Sequence, residues 1–299
     1  MSKRGSSPGR PSPLRMFCRE LFAESVAALR ASSEEARLDA TRIFEHVLGI
    51  RAAELPLREA LALPEASVAR VRGLINRRSL GEPVAYLCGE AWFYGRRFIV
   101  DERVLVPRPE TELLVELALA HLRSEEWESP PRLADLGTGS GAIAVTLAAE
   151  MPEALVTAID SSPDALRVAF ANRDLHGVGE RLSCMRSDLF TGLLPGLRFN
   201  LVAANLPYLR DDELPPRPNP LGFEPRLALV GGPDGLHCYR RLLRMLPERL
   251  EPGALVLLEA APPTMARLAT EARRAFPRAE LRVISDYGGA ERVLWLKSP

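Results

Sequence analysis

No stretch of the chain approaches the ~18 consecutive apolar residues that a bilayer-spanning helix needs, so a soluble protein is expected. No charge of one sign dominates either, since 39 basic side chains balance 39 acidic ones. Tight binding to nucleic-acid phosphates draws on a surplus of Lys and Arg, so neutrality argues against it, although not against a local basic patch. Cysteine and histidine are scarce, four of each in 299 residues. Cys18, Cys88, Cys184 and Cys238 stand far apart with no CxxC pairing, which reads as reduced cytosolic thiols used as small hydrophobes. His46, His121, His176 and His237 are equally scattered, show no metal-ligand spacing, and predict no metal. The expectation is a cytoplasmic monomer with no membrane contact and no stable nucleic-acid partner.

What is present falls into three stretches. Residues 1–15, MSKRGSSPGRPSPLR, hold Ser, Pro, Gly and Arg but no acid, as a disordered tail does. An organellar transit peptide has the same composition, but no amphipathic pattern accompanies it, and a secretory signal is excluded for want of an apolar core. Residues 16–88 read as a small N-terminal helical domain with its linker. Helices are predicted over Met16–Leu29, from after Ser33 to Gly49, and from Pro64 to Leu80. Residues 89–299 form the larger domain. AWFYGRRFIVDERVLVP predicts a β-hairpin turning near Gly95. Strands follow at Arg132–Leu136, Leu155–Asp160, Leu182–Ser187, Phe199–Ala204, Ala254–Glu259, Leu281–Ser285 and Arg292–Leu296. Helices at Gly141–Glu150, Ser162–Leu175 and Leu236–Leu250 interleave with them. This alternation predicts an α/β, Rossmann-like fold with a mostly parallel seven-stranded sheet.

The segment Leu133–Pro152 runs strand, glycine loop, helix without interruption. Gly137, Gly139 and Gly141, with Thr138 and Ser140 between them, let the backbone turn tightly and approach a ligand. The spacing is G-x-G-x-G, not the G-x-G-x-x-G that seats a dinucleotide pyrophosphate on a helix N-terminus. The next strand ends at Asp160, where an acid can accept hydrogen bonds from both ribose hydroxyls, or else serve the helix start at Ser162-Pro163-Asp164. The strand after that ends in Asp188 and Leu189, placed to meet an adenine amine and cover its ring. Together these features favour S-adenosylmethionine over NAD.

The fourth strand ends in Asn205-Leu206-Pro207-Tyr208. In an open α/β sheet ligands bind at the carboxyl ends of strands, so this turn should face the cofactor; an ordinary Asn/Pro turn is the alternative. Its residue types suit methyl transfer to an –NH2 on a planar group. Such a nitrogen shares its lone pair with the neighbouring carbonyl or ring, and two acceptors on its N–H bonds can aim the remaining lobe. The Asn205 side-chain oxygen and the Leu206 backbone carbonyl are the candidate acceptors. Leu206 precedes proline, which biases it to extended dihedrals. Tyr208 can stack on the flat acceptor.

With these motifs in place, the chain resembles the release-factor glutamine methyltransferases, the PrmC/HemK family. The likeness runs from about Arg77 to the C-terminus, through GEPVAYLCGEAWFYGRRF, VLVPRPETELLV, DLGTGSGAIAV, FEPRLALVGGPDGL and YGGAERVLWL. PRPETE is the most family-specific of these segments. The resemblance implies that the acceptor is the glutamine amide of a release factor's Gly-Gly-Gln loop, received by Asn205–Tyr208. It implies that the N-terminal helices dock the protein substrate, and that Arg108, Glu110 and Glu112 lie near the active site. Pro109 and Glu110 also make a good helix beginning, and Glu224 reads equally as site wall or loop hydrogen-bonding group. The family's usual turn is Asn-Pro-Pro-Tyr. Here Leu206 takes the second place, where the role belongs to the backbone. LLEAAPPT at Leu257–Thr264 replaces the family's Glu-Ile-Gly stretch, and no function is carried over to it.

Three other readings stand beside this one. Ribosomal-protein glutamine methyltransferases resemble AWFYGRRFIVDERVLVP but depart from PRPETE directly afterwards. RNA or DNA adenine N6-methyltransferases share the looser Asn-x-Pro-Tyr turn, yet predict a basic surface and a C-terminal RNA-binding domain. A non-enzymatic cofactor-binding scaffold, with Leu206 marking lost activity, is the third.

Overall fold

The computed structural model of the chain describes residues 15–299, so the expected N-terminal tail lies outside the described residues except for Arg15. Two compact units are present, one ending at Cys88 and the other running from Gly89 to Pro299.

The first unit contains α1 (Cys18–Leu29), α2 (Ala36–Leu48), α3 (Glu65–Ser79) and a short α4 (Val84–Cys88). Leu21, Leu29, Ile43, Phe44 and Val71 form its core, with Phe22 set edge-on to Phe44 at 5.2 Å. α1 starts two residues later than its apolar period suggests because the Phe17 backbone pairs with Ala62 instead. Asp39 and Arg78, both buried, pair at 2.7 Å, and the Ser33 hydroxyl donates to the same carboxylate at 2.6 Å.

The second unit opens with the hairpin of β1 (Glu90–Phe93) and β2 (Arg96–Ile99), paired antiparallel. In chain order there follow α5 (Glu112–Ser124), β3 (Arg132–Leu136), α6 (Ala142–Glu150), β4 (Leu155–Asp160), α7 (Pro163–Leu175), β5 (Leu182–Arg186) and β6 (Phe199–Ala204). Next come α8 (Arg226–Leu229), α9 (His237–Met245), β7 (Leu250–Glu259), α10 (Pro262–Ala275), β8 (Glu280–Ser285) and β9 (Glu291–Lys297). The sheet order is β5-β4-β3-β6-β7-β9-β8, parallel except for β9, which runs antiparallel to both its neighbours. Central strands are buried on both faces, as the unbroken apolar runs of Leu201–Ala204 and Ala254–Leu258 require. Four helices, the short α4 and α8 and the longer α5 and α10, go beyond those read from periodicity. α9 ends at Met245 because Pro247, which has no N–H to donate, turns the chain into a 3-10 segment.

Strand alternation sorts side chains into two layers. Val202, Ala204, Val256 and Leu258 pack with Tyr239 and Leu242 of α9 and Met265 and Leu268 of α10. The alternate residues Leu201, Ala203, Leu255 and Leu257 point to the other face, where α5 packs on β6 and β7. The register then aligns the strand ends. Leu136 pairs with Ile159 on one side and Ala204 on the other, and Ala204 pairs with Leu258. One residue further along, Asp160, Gly137, Asn205 and Glu259 stand in a row across β4, β3, β6 and β7.

The hairpin and the glycine loop are joined through one side chain. The Asn172 amide accepts from the Ile99 N–H at 2.7 Å and donates to the carbonyls of Ile99 at 2.9 Å and Ser140 at 2.8 Å. Asn172 is fully buried, so Asn172→Ala leaves these backbone groups without partners. Urea unfolding is expected to show a loss of about 2–4 kcal/mol, since the buried Ser140 carbonyl left unsatisfied costs roughly 1–3 kcal/mol and the two part-buried Ile99 groups add less each. A loss below about 0.5 kcal/mol, the range of an ordinary surface substitution, would contradict this accounting.

Candidate active site

The row of strand ends is held together by backbone and carboxylate contacts. Gly137 and Thr138 donate to the Ile159 carbonyl at 2.8 and 3.0 Å. Gly137 has φ +70°, and a Cβ there would meet Leu206 Cδ2 at 3.1 Å, so the loop lies directly on the Asn205-Leu206 turn. Asp160 uses both carboxylate oxygens, taking the Gly139 N–H at 2.9 Å and the Ser162 N–H at 2.9 Å. Burial raises its pKa while these backbone donors oppose the shift. Beneath the loop, fully buried Asp135 accepts from the Thr138 hydroxyl at 2.6 Å and the Ala144 N–H at 3.1 Å. Burial pushes its carboxyl up to about 7.

A cavity of about 410 Å³ opens over this row. Gly137, Gly139, Asp160, Asp188, Leu189, Asn205, Leu206 and Pro207 all line it. Thr138 and Ser140 instead line a neighbouring recess of about 50 Å³ with Arg108, Thr111 and Asn205. Gly141, expected beside the ligand, lines neither cavity and packs under α7 against Ala169. Leu189 is buried and adopts φ +52°, a conformation costing an L residue about 1–2 kcal/mol. Asp188 is exposed and pairs with Arg241 at 2.7 Å on the cavity rim.

The Asn205–Tyr208 turn is fixed from both faces of the sheet. On one face the Asn205 Nδ2 donates to the Thr111 hydroxyl at 3.1 Å. On the other, buried Leu206 faces Tyr239 of α9. The Tyr239 hydroxyl accepts from the Leu206 N–H at 3.2 Å and lies 3.1 Å from the Leu206 carbonyl, and it contacts the Glu259 carbonyl. With a single proton to give, it serves one of these carbonyls at a time. Complete burial keeps that proton in place far beyond the usual tyrosine range. The GGPDG segment closes over the turn: Gly231 donates to the Leu209 carbonyl at 2.8 Å, and at Gly235 (φ +73°) a Cβ would collide with the Tyr208 carbonyl. Tyr208 is half-buried and lines neither cavity. Its hydroxyl is pushed up by burial and by Glu259.

Arg108 pairs with the buried Glu224 carboxylate, which also takes the Val106 N–H at 3.2 Å; Glu224 thus braces the PRPETE loop from below. Glu110 is exposed. Glu112 turns away to the hairpin, where it accepts from the Tyr94 N–H at 2.7 Å. Three residues with no role in the sequence reading sit at this site: Thr111, Tyr239 and Glu259. Thr111 stood inside PRPETE, and Glu259 closes a strand in a sheet where strand ends carry ligands. Tyr239 gave no local signal.

A cofactor with a ribose, a purine and a charged tail fits the open cavity. The loop approaches without Cβ atoms, the strand-end carboxylate of Asp160 faces the cavity, and Leu189 offers an apolar wall. Fold and site define a class I, S-adenosylmethionine-dependent methyltransferase. Comparison with known proteins carries this further. The PrmC N-terminal domain matches residues 20–89 and the methyltransferase small domain residues 111–215. The release factor glutamine methyltransferase of Rhodopirellula baltica is 38% identical over 267 residues, covering 89% of this chain and 90% of that protein. That of Deinococcus radiodurans is 39% identical over 280 residues, covering 93% and 98%. The T. thermophilus 16S rRNA N2 methyltransferase, solved with AdoMet and guanosine, shares the fold at TM-score 0.51 and 16% identity over 70% of this chain and 50% of that one. The chain belongs to the release factor glutamine methyltransferase family.

Proposed function

We propose that this protein transfers a methyl group from S-adenosylmethionine to the side-chain amide N5 of the glutamine in the Gly-Gly-Gln motif of class I peptide chain release factors. It does so in the cytoplasm as a monomer, without a stable nucleic-acid partner or a membrane; among the described residues no helix is long and apolar enough to cross one. The observation that carries the reading is the juxtaposition of Asn205 and the glycine loop at the mouth of one cavity, in a chain of this family.

The amide nitrogen is a poor nucleophile because its lone pair is delocalised. Removing its proton costs about 1.4 kcal/mol for each pKa unit above ambient, and an amide lies many units above. Orientation is the cheaper route. Asn205 Oδ1, which has no donor among the described residues, accepts one N–H. The Leu206 carbonyl accepts the other; its two lone pairs allow this even with Tyr239 nearby. Arg108 and Glu110 border the entry of the substrate loop. Such positioning supplies several kcal/mol, with ~7–11 as the general ceiling. S-adenosylmethionine, when bound, supplies an electrophilic methyl group on a sulfonium. Gly137, Thr138, Gly139, Ser140 and Gly141 would form its loop, Asp160 would hold the ribose, and Asp188 and Leu189 the purine. The methyl would pass by direct displacement, with S-adenosylhomocysteine as leaving group and the proton shed by the methylated nitrogen released to solvent, and with no covalent enzyme intermediate.

Asp160→Ala removes a charged acceptor whose hydrogen bonds contribute about 1.5–3 kcal/mol each, so calorimetry is expected to show cofactor binding weakened about 10- to 100-fold. An unchanged dissociation constant would count against the ribose assignment. The function itself is tested with labelled cofactor and two purified release factors carrying Gln or Ala in the Gly-Gly-Gln loop. Label is expected only on the Gln protein; equal labelling of both would remove the substrate assignment.

A further inference from the structure

Asn205 can accept a substrate N–H only if its amide stands one way round. Rotated by half a turn, it would present an NH2 to another NH2, donor against donor. Nothing in an isolated Asn side chain selects between the two orientations. The neighbours on the α5 face do.

The register of β6 and β7 places Asn205 beside Glu259, on the same face of the sheet. Thr111, in the turn that opens α5, lies between them. The Glu259 carboxylate stands close enough to its hydroxyl to be stabilised by it, and the same hydroxyl oxygen accepts from Asn205 Nδ2 at 3.1 Å. Thr111 is 5% exposed and Glu259 1%, and Glu259 Oε2 is a buried oxygen with no partner among the described residues. A carboxylate in this setting is not explained by packing.

We propose that Thr111 and Glu259 are positioning residues that set the orientation of the Asn205 amide; the proposal rests on the reading of Asn205 as an acceptor for the substrate amide. An ionised carboxylate only accepts, so the single Thr111 proton goes to Glu259. The Thr111 oxygen is then left as an acceptor and selects Asn205 Nδ2, which turns Oδ1 toward the substrate. A protonated Glu259 reverses the chain. It donates to Thr111, the Thr111 proton faces Asn205, and Oδ1 is drawn away from the site.

The relay therefore gives turnover a pH dependence of known sign. Around Glu259 stand Arg292 on β9, Arg108 and Glu110 before α5, Tyr208 in the turn and Tyr239 on α9. The two arginines favour the carboxylate, whereas burial and Glu110 disfavour it and push the carboxyl up to about 7. The active state is the ionised one, so turnover falls as pH drops through that range.

The test compares Thr111→Val, Thr111→Ser, Glu259→Gln and Asn205→Ala in methyl transfer to a release factor at saturating cofactor and substrate. Thr111→Val is expected to lower kcat about tenfold or more with the cofactor dissociation constant within about twofold, and Thr111→Ser to restore kcat to within about threefold. Glu259→Gln, which cannot ionise, is expected to abolish the acid limb of the kcat profile. The relay is overturned if Thr111→Val retains kcat within about twofold while Asn205→Ala is inactive, or if Thr111→Ser is as impaired as Thr111→Val. It is equally overturned if the acid limb survives in Glu259→Gln, a result that decides the matter even if Thr111→Val fails to fold. Full activity in Asn205→Ala would instead remove the acceptor reading, a separate outcome.

Discussion

In the proposed reaction a planar amide is made nucleophilic by holding both of its N–H bonds, and the two adjacent groups that would hold them are each fixed by a different layer of the catalytic domain. Asn205 and Leu206 follow one another at the end of β6, so strand alternation sends their side chains to opposite faces of the sheet. Each is secured by its own layer. Thr111 at the start of α5 takes the Asn205 amide, and Tyr239 of α9 takes the Leu206 peptide, 33 residues away in sequence. Loss of either layer would free one acceptor and leave the other in place.

The same row of strand ends concentrates unfavourable burial. Asp135, Asp160 and Glu259 are carboxyls with raised pKa values, each pushed up chiefly by burial. Leu189 adds a left-handed backbone. Strain and desolvation of this kind persist where surrounding structure over-determines the site. That structure is the apolar interior of β3, β6 and β7 together with α9 and α10, whose side chains are almost completely buried. The glycine loop depends on it too: Asp135 ties the loop to the first turn of α6, and Asn172 ties it to the hairpin.

Much of this was legible in residue order. β3, β4 and β6 begin and end at the residues their β-type runs predict, and Asp160 and Asn205 fall at strand ends as their flanking turns imply. Other features escaped because their cause lies far away in the chain. α10 starts at Pro262-Pro263, a pair that reads as a loop until its proline ring geometry is seen to suit a first helical turn. Gly141 belongs to a glycine-loop pattern, yet its neighbour is Ala169 of α7, not the cavity. Glu112 and Glu224 look alike as acids near a site, but one caps the hairpin turn and the other is buried under Arg108. Glu259 sits in the stretch least like the family pattern, so only the β6–β7 register brings it next to Asn205. The Leu206 substitution also loses its ambiguity, since the side chain fills the α9-side core and the backbone is what Tyr239 grips.

The orientation of the acceptors is tested most directly by a structure of the protein with S-adenosylhomocysteine and a Gly-Gly-Gln release factor, with hydrogen positions determined by neutron diffraction. The glutamine amide nitrogen is expected within about 3.2 Å of both Asn205 Oδ1 and the Leu206 carbonyl, with Asn205 Nδ2 directed at Thr111. A glutamine amide bound away from this turn, or an Asn205 that presents its NH2 to the substrate, would contradict this arrangement.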